Sequence, residues 1–265
     1  VLEGSHGVML TSATLCERGE EGDVWDGAVA RSGAPHLEIA PRLSHAPSPF
    51  DYASQAEILI VTDIRKGDLP ALAGAYARLI EASGGGVLGL FTAIRRLRAV
   101  YSRIADRLAR AGLPLYAQHV DPIDTGTLVD IFRDDPAASL LGTDALRDGV
   151  DVPGASLRCV VMEQVPWAKP SILHRARRAA NGGGAYDDRI IRGKLAQAFG
   201  RLIRTSGDRG QFIVLSAAFP SRLLTAFPEG TPVIRLTLDE ALQRVAQSHS
   251  ASPERADRTE GQANL

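Results

Sequence analysis

The sequence predicts an α/β fold in which a mostly parallel β-sheet is covered by helices on both faces. Apolar runs of strand length alternate along the chain with segments of helical periodicity. Gly, Pro or polar residues bound these apolar runs, as expected of strand ends. Strands that alternate with helices are typical of parallel sheets, because each parallel strand needs a crossover connection.

Seven apolar runs have the length of a strand. The first, residues 7–15, is followed by a glycine- and acid-rich stretch and then by residues 35–50, whose prolines indicate a crossover segment or surface loop. The other six predicted strands cover residues 58–61, 87–91, 113–117, 139–141, 158–162 and 212–215. Parallel sheets bind ligands at the carboxyl ends of their strands, so the loops that follow these runs are where a site is expected.

Helical periodicity lies between the predicted strands. Apolar residues at alternating spacings of three and four lie on one face of a helix, namely Ile94, Leu97, Tyr101, Ile104 and Leu108. Four further helices are predicted over residues 70–82, 125–132, 171–180 and 190–204.

Composition excludes several classes of protein. The 265 residues carry a net charge of −1, so any contact with nucleic acid must use a local basic surface. Two distant cysteines, Cys16 and Cys159, exclude a disulfide framework and fit a reducing cytoplasm. The six histidines lack the spacing of metal ligands, and we expect no metal site. No apolar run approaches the ~20 residues that span a bilayer, so no membrane contact is expected.

The two ends of the sequence carry separate expectations. The chain starts without Met and runs straight into an apolar stretch, so we expect it to begin within a longer gene product. Residues 248–265 are polar and charged, and they cannot bury enough apolar surface to offset the entropy of ordering the chain. We therefore expect a disordered tail.

Residues 194–204 combine two arginines and a glutamine at helical spacing. On the predicted helix, Gln197, Arg201 and Arg204 would project from one face. Guanidinium groups bind phosphate oxygens in fork geometry and stay charged at physiological pH, so this face suits a polyanion. On spacing alone, a solvated basic face is the commoner outcome.

Residues 140–154 follow a predicted strand and form the second polar segment. They offer glycines for close backbone approach, the hydroxyl of Thr143, and three carboxylates. A turn-rich loop is the commoner outcome of such a segment alone, with Thr143 as a helix N-cap and Asp151 as a turn cap.

Five segments in order resemble motifs III to VI of superfamily 2 helicases of the DinG/XPD type. They are TSATL at 11–15 (motif III), SPFDYASQ at 48–55 (the link into the second motor domain), GLFTAIRRL at 89–97 (motif IV), LLGTDALRDGVDVPG at 140–154 (motif V) and QAFGRLIRTSGDRG at 197–210 (motif VI). The resemblance implies a RecA-like fold of the P-loop NTPase type that lacks the domain with the phosphate loop. It divides the chain into the end of the first motor domain with a crossover (1–47), the second RecA-like domain (48–247) and the tail (248–265).

The resemblance also implies roles for individual residues. Arg201 and Arg204 would be catalytic and supply an arginine finger to ATP. The remaining roles are nucleotide binding by Gln197, Gly149 and Asp151, DNA binding by Thr92, Gly142, Thr143 and Arg95, and coupling of the two sites by Thr11, Ser12 and Thr14.

Cofactors and partners follow from the same resemblance. ATP and Mg²⁺ would bind mainly to the upstream motor domain, since the chain has no GxxxxGK[ST] loop and no DEAH-like motif. An iron–sulfur cluster, which four cysteines hold in many family members, would also lie upstream. The partners would be single-stranded DNA, ATP and the upstream motor domain, with 5′→3′ movement and roles in DNA repair or replication. The fragment alone would not hydrolyse ATP.

Alternatives remain at this point. Residues 146–148 depart from the family's motif V, which motivates a non-catalytic nucleic-acid-binding module derived from a helicase domain. An unrelated α/β nucleotide binder would share only the architecture. Tyr52, Phe91 and Trp167 are candidates for base stacking, although core packing is the commoner role of such residues.

Overall fold

A seven-stranded parallel sheet dominates the computed structural model, which describes residues 7–19, 22–143, 146, 151–152 and 154–250. It is preceded by a short antiparallel hairpin, β1 (Glu17–Gly19) and β2 (Gly22–Val24). The sheet consists of β3 (Ala56–Val61), β4 (Val87–Leu90), β5 (Leu115–Ala117), β6 (Ser139–Gly142), β7 (Cys159–Met162), β8 (Gly210–Val214) and β9 (Val233–Leu236). Its spatial order is β5-β6-β4-β7-β8-β3-β9, and every neighbouring pair is parallel.

Helices cover both faces of this sheet. In chain order they are α1 (Asp26–Ser32), α2 (Tyr52–Gln55), α3 (Leu69–Ser83), α4 (Ile94–Arg110), α5 (Thr125–Asp134), α6 (Ile172–Ala180), α7 (Gly184–Phe199) and α8 (Leu238–Ser250). Single-turn or short 3₁₀ segments occupy residues 34–36, 154–156 and 221–226. The α/β, RecA-like class predicted from the sequence is thereby confirmed, with a sheet that is wholly parallel.

Alternation along the strands divides the core into two layers. In β3, Ile58 and Ile60 pack into the layer that contains α5 and α7, whereas Leu59 and Val61 pack into the layer that contains α3, α4 and α8. Successive side chains of a strand point to opposite faces, so a strand covered on both sides must be apolar throughout. This is why the central strands appear in the sequence as unbroken apolar runs.

Local capping explains where two of the helices begin. The Asp68 carboxylate accepts a hydrogen bond from the Ala71 backbone N–H (2.9 Å) at the start of α3, and Asp124 does the same for Thr127 (3.0 Å) at the start of α5. Such side chains satisfy N–H groups that have no partner inside the helix. Helix α3 ends at Ser83, and the following cap residue is Gly84, whose φ of 63° lies in the left-handed region that favours glycine.

Three expectations about the elements need correction. Residues 7–16 form no strand, and their apolar side chains, such as Met9, are exposed, because no neighbouring strand in the described chain pairs with them. The helix predicted over 190–204 runs instead from Gly184 to Phe199, and β9 with α8 follows where no element was predicted. Helix α8 reaches Ser250, so the predicted tail boundary at residue 248 falls inside a helix, and residues 251–265 lie outside the described residues.

Candidate functional site

The buried Glu163 carboxylate organises the carboxyl edge of the central strands. Glu163 directly follows β7, and its side chain is 0% exposed. It accepts hydrogen bonds from the backbone N–H (2.9 Å) and the hydroxyl of Thr92, the second residue after β4, and it forms an ion pair with Arg96 on α4. A buried carboxylate needs such partners, because an uncompensated charge away from water is costly. Glu163 therefore ties the ends of two adjacent strands to the start of α4.

Tyr76 lies beside this network inside the core. Its hydroxyl donates a hydrogen bond to the Val161 carbonyl oxygen (3.1 Å). Burial first, and then the nearby Glu163 carboxylate, raises the pKa of Tyr76 well above its ordinary value, although Arg96 acts in the opposite direction. Tyr76 thus stays a neutral hydrogen-bond donor, and it supports β7 immediately before Glu163.

A second network, centred on the side-chain amide of Gln118, holds Thr143 directly after β6. The Gln118 side-chain oxygen accepts hydrogen bonds from the backbone N–H (3.1 Å) and hydroxyl (3.0 Å) of Thr143. The adjacent His119 has a φ of 68°, and its carbonyl oxygen accepts two hydrogen bonds from the Arg98 guanidinium, at 2.8 and 3.1 Å. These contacts fix the loops after β5 and β6 in place next to Thr92.

An open groove of about 450 Å³ runs along this edge. It brings together Thr92 and Thr143, two of the predicted DNA-binding residues, with Lys194 of α7 and with the loop after β7. Among the residues that the structure describes, its lining is Phe91, Thr92, Ala93, Ile94, Thr143, Pro166, Trp167, Ala168, Lys169 and Lys194. Hydroxyl and ammonium groups in one groove can bind the phosphates of a polyanion.

The turn after α7, residues 204–208, is built around a second buried carboxylate, Asp208. Its Oδ2 accepts hydrogen bonds from the backbone N–H groups of Arg204 (2.7 Å) and Thr205 (2.8 Å). Its Oδ1 accepts bonds from the Thr205 hydroxyl (2.8 Å) and the Gly154 N–H (3.2 Å), which joins the turn to the last residue of the segment that resembles motif V. Asp208 thereby fixes the main chain at Arg204.

Gln55, the last residue of α2, holds the same turn from the other side. Its buried side-chain amide nitrogen donates to the carbonyl oxygens of Thr205 (3.1 Å), Ser206 (3.2 Å) and Asp208 (3.1 Å). Carbonyl groups of a tight turn need donors when water is excluded. The segment that leads into the domain is thus attached directly to the turn that carries Arg204.

The predicted nucleotide-binding residues come together only in part. The Arg204 Nε atom lies 3.3 Å from the Asp151 carboxylate, so motif V and motif VI meet here. Gln197 is half-buried on the last turn of α7, and Arg201 is half-buried just beyond the helix end. Because α7 ends at Phe199 and Gly200 is its C-cap, the prediction that Gln197, Arg201 and Arg204 share one helix face is wrong.

The structure describes the surroundings of Gly142 and Arg95, two of the other predicted site residues. Gly149 lies outside the described residues. A Cβ atom on Gly142 would lie 1.9 Å from the Leu146 side chain, so packing by itself requires glycine there. Arg95 is exposed on the first turn of α4, whereas its neighbour Arg96 turns inward to Glu163.

The predicted coupling residues Thr11, Ser12 and Thr14 lie together before the hairpin. The Ser12 hydroxyl accepts a hydrogen bond from the Thr14 backbone N–H (3.2 Å) and lies 3.3 Å from the Thr14 hydroxyl, while Thr11 is exposed. These local contacts form a turn of the kind that serine and threonine commonly make.

Sequence reasoning missed the two carboxylates that organise the site. Glu163 follows a predicted strand, so the rule that sites lie at the carboxyl ends of strands was the signal that pointed to it. Asp208 and Gln55 lie inside the segments that resemble motif VI and the domain link, but their polar contacts join residues distant in sequence. Within the described residues, no group of three or more His, Cys, Asp or Glu side chains could hold a metal ion.

Some arginines of the basic helices α4 and α6 are used in contacts inside the molecule. Arg107 on α4 forms a bidentate ion pair with Glu81 (2.7 Å for each hydrogen bond), and Arg178 on α6 forms an ion pair with Asp187 (2.6 Å). These arginines therefore join helices to one another.

None of the helices in the described part of the chain is long and apolar enough to cross a membrane.

The fold and the order of the motifs define a RecA-like motor domain of the helicase type. A family model described as "Helicase C-terminal domain" matches residues 76–230. The chain therefore belongs to the helicase C-terminal domain family, and its relatives identify it as a DinG/XPD-type member, as the sequence motifs predicted.

Two curated relatives illustrate this membership. The ATP-dependent helicase DinG of Mycobacterium tuberculosis (strain ATCC 25177 / H37Ra) is 36% identical over 230 residues, which cover 82% of this chain and 32% of that protein. The 3'-5' exonuclease DinG of Bacillus subtilis (strain 168) is 30% identical over 258 residues, covering 90% and 27%. The chain thus spans about a third or less of the length of the curated relatives it matches.

Solved structures share the fold at low sequence identity. S. tokodaii Xpd4 has a TM-score of 0.50 at 14% identity, covering 76% of this chain and 41% of that one. S. cerevisiae Dbp5 bound to RNA and ADP BeF3 has a TM-score of 0.54 at 14% identity, covering 84% and 53%. At this identity the likeness establishes the architecture alone.

Proposed function

We propose that the chain is the second motor domain of an ATP-dependent DNA helicase and that it supplies the arginine finger for ATP hydrolysis. The observation that carries the proposal is the turn built on Asp208. The Asp208 carboxylate fixes the main chain at Arg204, and the Arg204 guanidinium meets Asp151 of motif V. A rigid base and a partly exposed cationic tip are what an arginine finger requires.

In the proposed reaction, Arg201 and Arg204 act on ATP held mainly, with Mg²⁺, by the first motor domain. Their charge stabilises the negative charge that develops on the transferring phosphoryl group. Phosphate oxygens compete with the Asp151 carboxylate for Arg204, so Asp151 holds the guanidinium ready without burying it. Gln197 and Gly149 complete the proposed nucleotide contacts.

The DNA side of the proposal uses the groove at the carboxyl edge of the sheet. Phosphates of single-stranded DNA replace Glu163 and Gln118 as the acceptors for the hydroxyl groups of Thr92 and Thr143. The backbone at Gly142 donates to the same strand, and Arg95 adds charge at the rim. Thr11, Ser12 and Thr14 link nucleotide state to this grip. Movement is 5′→3′, and the domain extends from residue 48 to the end of α8 at Ser250, with residues 1–47 belonging to the first motor domain and its crossover.

A chimaera tests the arginine finger. The chain replaces the matching C-terminal third of the M. tuberculosis DinG relative, and ATP hydrolysis is measured with and without single-stranded DNA. Arg204→Ala is expected to lower the hydrolysis rate by about a thousandfold or more, while nucleotide binding is retained. The matched control is Arg78→Ala, because Arg78 pairs with Asp239 on the surface between α3 and α8 and should leave the rate unchanged.

Other outcomes separate the remaining alternatives. Normal hydrolysis by the Arg204→Ala chimaera would show that the finger is assigned to the wrong residue. A chimaera that binds single-stranded DNA but never hydrolyses ATP would favour the non-catalytic binding module. Unwinding of substrates with either a 5′ or a 3′ overhang measures the direction of movement, and activity on the 3′ overhang alone would contradict the proposed 5′→3′ polarity.

A further inference from the structure

Trp167 is a large aromatic side chain that the fold leaves half in solvent. It lies in the loop after β7, and 46% of it is exposed. Its neighbours Val165 and Pro166 are buried, and its backbone N–H donates to the Val165 carbonyl oxygen (2.9 Å). The loop is therefore anchored immediately before the indole, while the indole itself lines the open groove at the carboxyl edge.

A charged pair orients this indole. The Arg222 guanidinium lies over the Trp167 ring, 6.0 Å from the ring centroid, which is the geometry of a cation–π contact. Arg222 is itself held by Asp188 of α7 through an ion pair of 2.7 Å. Holding an exposed tryptophan in one orientation lowers the entropy that a ligand would otherwise have to remove when it stacks on the ring.

The charge of the groove selects the kind of ligand. Lys169 and Lys194 line it together with the hydroxyl groups of Thr92 and Thr143, and none of the described residues that line it is acidic. An aromatic platform beside ammonium and hydroxyl groups matches a single strand of nucleic acid, whose bases stack while its phosphates accept hydrogen bonds. A purely apolar ligand would gain nothing from the two lysines.

We propose that Trp167 is a base-stacking platform for the single strand that occupies this groove. The inference rests on the proposed function and deepens it, because it adds a contact to the bases next to the contacts with the phosphates. Stacking of this kind tolerates any sequence, since every base has a π-face.

Tryptophan fluorescence gives a direct test with the 265-residue chain. The sequence contains two tryptophans, so Trp25→Phe leaves Trp167 as the sole indole. Addition of oligothymidylate at low salt is expected to quench the fluorescence of this variant. The reciprocal variant, Trp167→Leu, reports from Trp25 and is expected to show no quenching.

Affinity measurements with a labelled strand complete the experiment. Trp167→Leu is expected to weaken binding about tenfold, and Trp167→Phe by less, because phenylalanine keeps an aromatic face. On a strand of the same length with abasic sugars, wild type and Trp167→Leu should bind equally, since only the phosphates remain. Trp167 is exposed, so circular dichroism of the variants should match that of the wild type.

The outcomes distinguish this inference from the proposed function. Binding of oligothymidylate that neither quenches Trp167 nor weakens in Trp167→Leu would overturn the stacking while leaving the DNA-binding motor domain intact. Equal losses by Trp167→Leu on the thymidylate and abasic strands would also overturn it. Absence of any binding at low salt, on either strand, would overturn both.

Discussion

Two buried carboxylates organise the molecule's polar edge, and they do so in different ways. Glu163 binds mainly side chains, the Thr92 hydroxyl and the Arg96 guanidinium, together with one backbone N–H. Asp208 binds mainly backbone, the N–H groups of Arg204, Thr205 and Gly154. Glu163 sets the direction of side chains at the groove. Asp208 sets the path of the main chain at Arg204.

Under the proposed function, this difference separates DNA binding, which uses the groove organised by Glu163, from ATP hydrolysis, which uses the turn organised by Asp208. In the proposed DNA groove the contacts are made by side chains, so a carboxylate that orients side chains is sufficient there. An arginine finger must be placed within a fraction of an ångström, because misplacement by about 1 Å can lower a rate a hundredfold. Fixing the main chain is the more rigid solution. Substitutions of Asp208 and Gln55 test the turn, and substitution of Glu163 tests the groove.

Removal of Asp208 should have the largest effect. Asp208→Ala leaves the N–H groups of Arg204, Thr205 and Gly154 without the charged acceptor that they share, which should lower the free energy of unfolding by about 3 kcal/mol. ATP hydrolysis by the chimaera should fall together with stability. Urea unfolding of the complete chain measures the first effect, and the hydrolysis rate measures the second.

A matched control for Asp208 is available on the surface of α5. Asp130 pairs with Arg133 one turn away (2.7 Å), and both side chains are exposed. Asp130→Ala should therefore cost about 0.5 kcal/mol or less. Equal unfolding curves for the two variants would mean that Asp208 does not support the turn.

Neutralising Glu163 should have an intermediate effect. Glu163→Gln keeps the shape of the side chain but leaves the partly buried Arg96 without its anion, and we expect a loss of about 2 kcal/mol measured by urea unfolding. Binding of single-stranded DNA should weaken because Thr92 loses its fixed orientation, whereas nucleotide binding by the chimaera should not change.

A second substitution checks that the Arg96 charge is responsible. Adding Arg96→Leu to Glu163→Gln should restore part of the lost stability, because the unpaired cation is removed. If the double variant is as unstable as the sum of the two single variants, the ion pair contributes nothing beyond its separate parts.

The sequence was sufficient to predict six of the seven strands of the parallel sheet, β3 to β8, but not these two carboxylates. Runs such as residues 58–61 and 87–91 are apolar because both faces of the sheet are covered, so burial is visible in the residues themselves. The β9 strand was missed because it lies at the sheet edge, where Val233 is exposed and the apolar run is short.

The end of α7 shows why the remainder could not be predicted. Apolar periodicity continues past Gly200 into the buried Leu202 and Ile203, so the pattern alone extends the helix to Arg204. Beyond Gly200 the N–H groups of Arg201 and Leu202 bond to carbonyl oxygens three residues back, which ends the α-helix. Asp208 then accepts the N–H groups of Arg204 and Thr205, so the helix does not resume. A contact that competes with helical hydrogen bonds depends on geometry that a spacing rule does not contain.

Substitution of Gln55 should have the smallest effect and gives the most specific test of the turn. Gln55→Ala removes the donor that three carbonyl oxygens share, and these oxygens can instead accept hydrogen bonds from water. The free energy of unfolding should therefore fall by only about 1 kcal/mol. Hydrogen exchange should accelerate at residues 204–208 and stay unchanged at the Thr92 edge. Gln55→Glu should cost more than Gln55→Ala, because it places a carboxylate against the same carbonyls. The reverse order would mean that the Gln55 side chain acts by filling space, and that the link into the domain does not hold the arginine-bearing turn through its hydrogen bonds.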